Sequence, residues 1–185
     1  MVPIEKLSGR LGNQLFRHAY LYAQMREGII PDVYVQDPKY FDKYREEIKE
    51  LFGDGIGYLA QVGIHVRRGD YVGGSFHTDL CLSDYYENAI ALFPGKNFLV
   101  FSDDPFWCED KFKGDNFQVV FGGSELEDFN QLSSCEAQII SNSSFSWWAA
   151  YLCPNPAHRV IAPRENRWFQ DGVVRCRLPG EWTQI

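Results

Sequence analysis

From residue 60 onward, short apolar runs alternate with segments in which apolar residues recur every three or four positions. The short runs predict five strands, at 62–66, 97–101, 117–121, 137–141 and 158–162. The segments between them predict one helix between Ser83-Asp84 and Pro94-Gly95 and shorter ones at 105–112, 124–134 and 144–152. Strands that alternate with crossover helices are typical of a parallel sheet. We therefore expect an α/β protein in which residues 61–185 form one nearly complete Rossmann-like domain.

The first 60 residues have a different pattern. They predict a short strand at about 3–7, a Gly-rich turn at 8–14 and a helix that follows it. A second helix is predicted at about 41–52, with Phe41, Tyr44, Ile48 and Leu51 on one face, and residues 53–57 read as a linker. This segment is too short for a second full domain, so a truncated N-terminal α/β subdomain over 1–60 is expected.

Composition restricts the class of protein. Among 185 residues, 45% are hydrophobic and 16% aromatic, so the chain can bury a core and is globular throughout. Lys and Arg number 18 against 25 Asp and Glu, a net charge of −7, which is the opposite of the basic surface of a nucleic-acid-binding protein. No nucleic-acid partner is expected, and any anionic ligand must be met by local cations.

Cysteine usage and the N-terminal residues bear on the compartment. The five cysteines are an odd number without a C-x-x-C pair, which favours a reducing environment. The first residues, MVPIEKLSGR, lack the apolar core of a signal peptide, and no run approaches the ~20 apolar residues of a membrane span. We expect a cytoplasmic protein without a transmembrane segment.

The most informative string reads VGIHVRRGDY and runs from Val62 to Tyr71. In doubly wound sheets, ligands bind at the carboxyl ends of the strands. Arginine guanidinium groups match phosphate oxygens bidentately and stay charged, so Arg67 and Arg68 indicate a diphosphate site. The competing interpretation is a surface ion pair between Arg68 and Asp70, which share one side of the strand if the extended conformation continues that far.

Two further segments have the composition of anion-binding turns. The first, 9–14, joins a strand to a helix, but it is neither the G-x-G-x-x-G of dinucleotide sites nor a P-loop. The second, 141–148, opens a helix with several serines, whose hydroxyls and N–H groups predict a phosphate cradle. Each has a structural alternative: a tight connection for the first, and helix capping with Trp147 and Trp148 in the core for the second.

Several carboxylates are candidates for chemistry. Asp103 and Asp104 precede Pro105, a pattern typical of a helix cap, and Asp128 lies in the helix before the strand at 137–141. No His, Asp and Glu residues stand at metal-binding spacing, so no metal and no other cofactor is expected. The candidate proton acceptors are Asp70, His77, Asp79 and Glu87.

Three strings occur in order along the chain: GRLGNQLFRHA at 9–19, HVRRGDY at 65–71 and DFNQLSSCEAQIISNSSFSWWAAYL at 128–152. Together they closely resemble the α-1,2-fucosyltransferases of glycosyltransferase family 11, and FLVFSDDPFWC at 98–108 is similar too. The resemblance implies a GT-B-like fold and a galactoside 2-α-L-fucosyltransferase. Such an enzyme passes fucose from GDP-β-L-fucose to the 2-hydroxyl of a terminal galactose, with inversion and without a metal.

Roles for individual residues follow from the resemblance and, for the base, from position. Arg67 is expected to hold the β-phosphate of GDP, His65 to help at the nucleotide, and Asp128 to recognise guanine. Asp70, three residues after Arg67, is the first choice for the catalytic base, and His77 is the second. The other residues expected to bind substrate are Gly12, Asn13, Gln14, Arg68, Asp103, Ser143, Ser144 and Phe145.

One departure from the family affects these expectations. Members carry a markedly longer segment between the GNQ turn and the HVRRGDY strand than the residues 27–61 present here. The nucleotide half is nearly intact while the acceptor half is short, so the alternative is a non-catalytic GDP-sugar-binding or glycan-binding remnant. A short first subdomain also leaves apolar surface that a second copy of the chain could cover, giving a homo-oligomer.

Overall fold

The computed structural model describes residues 11–27, 36–52 and 57–185. The predicted strand at 3–7, the first two residues of the 9–14 turn and most of the 53–57 linker lie outside the described residues.

A parallel sheet of six strands forms the centre of the fold. The strands are β1 (Leu59–Val66), β2 (Phe98–Ser102), β3 (Phe117–Val119), β4 (Cys135–Ile139), β5 (Arg159–Ala162) and β6 (Thr183–Gln184). Their order across the sheet is β3-β2-β1-β4-β5-β6, and every neighbouring pair is parallel. This is the strand order of the Rossmann fold, so the predicted fold class is confirmed.

Helices cover both faces of the sheet. They are α1 (Leu11–Glu27), α2 (Arg45–Phe52), α3 (Tyr85–Ile90), α4 (Pro105–Lys111), α5 (Glu125–Ser133) and α6 (Ser144–Tyr151). The N-termini follow the local sequence: Asp104 accepts a hydrogen bond from the Trp107 N–H at the start of α4, and Ser124 with Glu127 forms a capping box on α5. The predicted helix at 41–52 is shorter than expected, because 42–44 adopt a 3₁₀ turn before α2 begins.

The predicted strands differ from the structure at several of their ends, and one strand was missed. The first begins three residues earlier than expected, at Leu59, and the third ends at Val119, two residues earlier than expected. The fourth strand begins two residues earlier than expected and ends at Ile139, so Ile140 and Ser141 follow the strand. The sixth strand was not predicted because it has only two residues, both exposed and polar. It pairs with the carboxyl end of β5 and extends the sheet by one strand.

Apolar side chains form one cluster on each face of the sheet. The cluster under α1, α2, α5 and α6 centres on Trp147 and Trp148, whose rings contact Phe16 and Phe41. The cluster on the opposite face packs β1 and β2 against α3 and α4. The described N-terminal helices thus share a hydrophobic core with the sheet, and the division at residue 60 stays a prediction.

Within the described ranges, none of the helices has the length and apolar character needed to cross a bilayer.

Candidate active site

A cleft of about 890 Å³ opens at the carboxyl ends of β1 and β4. These strands are neighbours at the centre of the sheet, where the chain reverses its direction of winding, and that is where doubly wound folds bind ligands. Of the twelve residues expected to bind substrate or to act as the first-choice catalytic groups, ten line the cleft: Gly12, Asn13, His65, Arg67, Asp70, Asp103, Asp128, Ser143, Ser144 and Phe145. Gln14 and Arg68 do not, whereas His77, the second choice for the base, lines it too.

Arg67 lines the cleft directly after β1, and its side chain is 13% exposed. Its guanidinium pairs with two carboxylates: Nη1 lies 2.7 Å from Asp103 Oδ2, and Nη2 donates to Asp70 Oδ1. The extended strand stops at Val66, and Gly69–Tyr71 turns back as a 3₁₀ helix, which brings Asp70 next to Arg67. The expected side-sharing of Asp70 with Arg68 was therefore wrong.

Arg68 points away from the cleft. Its Nε donates to Asp104 Oδ2 at 3.0 Å, and its guanidinium carbon lies 4.0 Å from the centre of the Trp107 ring. The Arg68 backbone N–H donates to Asp103 Oδ1 at 2.9 Å. Asp103 and Asp104 thus hold both arginines, and Arg68 fastens the end of β1 to α4.

His65 forms part of the buried floor of the cleft. Its Nδ1 is 2.8 Å from Ser141 Oγ, and its ring lies 5.0 Å from that of Phe145. Burial lowers the pKa of His65 to about 4, although the nearby Asp103 charge acts in the opposite direction. The imidazole is therefore neutral at physiological pH and offers a hydrogen bond without a charge.

The starts of α1 and α6 meet at one side of the cleft. A Cβ on Gly12 would collide with the backbone of Ser144 and Phe145, so only glycine permits this approach. Asn13 Oδ1 accepts from Ser144 Oγ at 3.0 Å and from Gln36 Nε2 at 3.1 Å. The GNQ segment therefore lies in the first turn of α1 and joins the N-terminal residues to the serine-rich start of α6.

Asp128 and Glu125, both in the first turn of α5, line the cleft together with Asp103. Its Oδ1 is buried, and no described residue donates a hydrogen bond to it. Burial, with a smaller contribution from the charge of Glu127, raises the pKa of the Asp128 carboxyl. A ligand that brings N–H donors to this oxygen would remove the cost of its burial.

Aromatic side chains form the β5 side of the cleft, which sequence reasoning missed apart from His77. The Tyr71 and His77 rings stack 4.0 Å apart with 5° between their planes, and Phe76 and Phe169 pack against His77. Tyr71 was noted only as the last residue of the HVRRGDY string and was not predicted to line the site. The other lining residues that were not predicted are Gln36, Phe101, Ser102, Glu125, Asn142, Trp168 and Arg175.

The two preferred bases differ in their environment. Burial alone would raise the pKa of Asp70, but the hydrogen bond and charge of Arg67 outweigh it, so the pKa lies below its usual value. Burial lowers the pKa of His77, which keeps that imidazole neutral near pH 7. Both side chains line the cleft, whereas Asp79 caps the 3₁₀ turn at 80–82 and Glu87 pairs with Lys111.

Nowhere in the described residues do three or more His, Cys, Asp or Glu side chains group as a metal site would.

The comparisons with known proteins agree on one family. Residues 14–172 match the family described as Glycosyl transferase family 11. The chain is similar to an Escherichia coli alpha-1,2-colitosyltransferase, with 33% identity over 81% of this chain and 60% of the relative. It is also similar to the E. coli O-antigen biosynthesis glycosyltransferase WbnK, with 31% identity over 88% of this chain and 62% of that protein.

A mammalian relative is more distant. The galactoside alpha-(1,2)-fucosyltransferase 2 of Oryctolagus cuniculus is 29% identical over 82% of this chain and 44% of its own length. The chain thus spans about three fifths or less of these curated relatives. With the family matched over most of its length and the Rossmann-type cleft in place, the chain belongs to glycosyl transferase family 11.

Proposed function

We propose that this protein transfers L-fucose from GDP-β-L-fucose to the 2-hydroxyl of a terminal galactose in a glycan, with inversion and without a metal ion. Relatives in the family are named as α-1,2-fucosyltransferases and as an α-1,2-colitosyltransferase, which supports transfer of a deoxy sugar to form an α-1,2 linkage. Colitosyl transfer is the second candidate because the relative that carries this name is 33% identical.

The position of Arg67 is the observation that carries the proposal. Arg67 follows the central strand β1, and Asp128, Ser143 and Ser144 line the same cleft. A nucleoside diphosphate suits these groups, with its base toward Asp128 and its phosphates on Arg67 and the helix start. Guanine carries N–H groups that can donate hydrogen bonds to the unpartnered Asp128 oxygen.

Departure of GDP is the step that these groups would assist. As the bond between the sugar and the β-phosphate breaks, negative charge grows on the phosphate, and a charged guanidinium stabilises it more in the transition state than in the ground state. Asp103 and Asp70 hold the Arg67 fork in place before the substrate arrives. The helix start of α6 adds backbone N–H groups near the same position.

The acceptor hydroxyl must lose a proton during inverting transfer. The sequence favoured Asp70, but its ion pair with Arg67 makes its carboxylate a weak base. His77 is neutral near pH 7 and lines the same cleft, so we propose His77 as the proton acceptor. Asp70 then acts by orienting Arg67.

Release of GDP from GDP-fucose, in the presence of lactose and EDTA, tests the proposal, with GDP-colitose as the second donor. Arg67→Ala should abolish turnover and weaken GDP binding measured by calorimetry, and Arg67→Lys should restore little because an ammonium lacks the planar fork. Arg167→Ala removes the same charge from an exposed position outside the cleft and serves as the control.

Three results would contradict parts of this proposal. Near-wild-type turnover of Arg67→Ala would overturn the role of Arg67, and dependence on Mg²⁺ or Mn²⁺ would overturn metal independence. Binding of GDP without turnover of either donor would instead support a non-catalytic GDP-sugar-binding protein.

A further inference from the structure

An aromatic surface at the open, β5 side of the cleft has no role in nucleotide binding as described above. We define the aromatic wall as Phe76, His77, Phe169 and Arg175. The Phe76 ring lies 4.9 Å from His77 and 4.9 Å from Phe169, and the Arg175 guanidinium carbon lies 5.4 Å and 5.0 Å from the Phe76 and Phe169 ring centres. All four residues line the cleft.

The backbone under the aromatic wall is held firmly. The segments that carry His77 and Phe169 pair as an antiparallel bridge, and the Gln170 N–H donates to the Phe76 carbonyl at 3.0 Å. The buried Asn142 amide donates to the carbonyls of Thr78 and Trp168, both at 2.9 Å. The two loops are therefore fixed to each other and to Asn142, three residues after the end of β4.

Phe76 is nevertheless 53% exposed. This large apolar ring lies in a cleft on a firmly held backbone, yet it lacks the burial that normally stabilises such a side chain. Its exposure points to a ligand that covers the ring. Arg175 adds polar groups at the same place. The Arg175 guanidinium has five N–H donors and uses two of them in hydrogen bonds to Asp171, so others remain for a ligand hydroxyl.

The aromatic wall also has a defined relation to the phosphate position. The Arg67 guanidinium carbon lies 5.5 Å from the Tyr71 ring, Tyr71 stacks on His77, and His77 contacts Phe76. A sugar attached to a phosphate on Arg67 would lie beside Tyr71 and His77. Phe76 stands one ring further out, where the second sugar of the reaction must enter.

We infer that the aromatic wall binds the acceptor sugar, with the apolar face of its pyranose ring on Phe76 and a hydroxyl on Arg175. This inference rests on the proposed function, and it names the part of the cleft that selects the acceptor. Galactose suits such a surface because the face opposite its axial hydroxyl carries only C–H bonds. The acceptor hydroxyl would then approach His77 from the side away from Arg67.

The test compares Phe76→Ala and Phe76→Leu with Phe106→Ala, which removes a more exposed phenylalanine outside the cleft. Phe76→Ala should raise the KM for lactose about five- to tenfold, with the KM for GDP-fucose and the affinity for GDP unchanged. Phe76→Leu should recover part of this loss, and Phe106→Ala should change none of these constants. Thermal melts followed by circular dichroism should show that all three variants fold.

Saturation-transfer NMR with methyl β-galactoside and GDP separates this inference from the proposed function. If the wild type transfers no sugar but binds the galactoside, and Phe76→Ala abolishes the signal, the aromatic wall is a glycan site and the transferase proposal fails. An unchanged lactose KM in an active Phe76→Ala enzyme would overturn the inference, and so would an absence of galactoside binding by the wild type. Weaker GDP or GDP-fucose binding by Phe76→Ala would overturn it too, because the ring would then serve the donor.

Discussion

Replacement of Asp103 by alanine should destabilise the protein far more than the loss of a surface charge. Asp103 Oδ2 pairs with Arg67, and its Oδ1 accepts the Arg68 backbone N–H at 2.9 Å. The Asp103 side chain is 28% exposed and that of Arg67 13%, so water screens this pair only in part. Asp103→Ala removes both bonds from the turn that follows β1.

The magnitude follows from the two bonds. A hydrogen bond to a charged group contributes roughly 1.5–3 kcal/mol, and Arg67 keeps its second partner, Asp70, in the variant. We therefore expect Asp103→Ala to lower the free energy of unfolding by about 2–3 kcal/mol. Asp103→Asn can still accept the Arg68 N–H through its amide oxygen, but its NH₂ group is a donor and cannot replace the oxygen that pairs with Arg67. The loss of this ion pair alone should cost about 1–2 kcal/mol.

Urea unfolding at pH 7, followed by tryptophan fluorescence and circular dichroism, measures both values. Asp110→Ala is the control, because its ion pair with Lys113 joins side chains that are 90% and 69% exposed, and its loss should cost less than about 0.5 kcal/mol. If Asp103→Ala were as mild as Asp110→Ala, the argument that Asp103 fixes the two arginines would be refuted.

Three further predictions concern the glycine contact, the second arginine and pH. Gly12→Ala should lower the free energy of unfolding by about 2 kcal/mol or more, because its Cβ would meet the backbone at the start of α6, whereas Gly180→Ala faces open space and should be nearly neutral in the same urea titration. Arg68→Ala should lower the melting temperature but leave GDP affinity within about twofold in calorimetry, since Arg68 lies outside the cleft; a large loss of affinity would return Arg68 to the phosphate site. Burial lowers the pKa of all four histidines in the folded protein. As the pH drops from about 6.5 toward 4, the unfolded chain therefore binds protons before the folded protein does, and the free energy of unfolding should fall. His65, with its pKa of about 4, accounts for about 3 kcal/mol of that fall, so His65→Gln should flatten the profile, and an unchanged profile would contradict its neutral state.

The sequence predicted the parts of the fold that local patterns determine. Apolar runs marked five of the six described strands, and Ser124 and Asp104 marked helix starts because their side chains accept backbone N–H groups next to them in sequence. The sixth strand is exposed and polar, so its pairing with β5 has no local signal.

The residue types of the candidate site could be predicted from the sequence, but the direction in which each side chain points could not. Arg67 and Arg68 are chemically identical neighbours, and which one enters the cleft depends on the strand ending at Val66 and on a 3₁₀ turn after it. The aromatic wall joins loops that lie about ninety residues apart in the chain, as in the bond from Gln170 to the His77 carbonyl. No pattern within one segment reports such a contact.

The junction between Gly12, Asn13 and the start of α6 also determines when the cleft can form during protein synthesis. Asn13 and its partner Ser144 are 131 residues apart, which at roughly 5–20 residues per second is a delay of about 7–26 s. During that time α1 has no α6 to cover Phe16, Ala19 and Ala23. The N-terminal helix therefore keeps this apolar face without its α6 partner while β1 to β4 are synthesised, and the cleft cannot form its α1 side before residue 144 has been made.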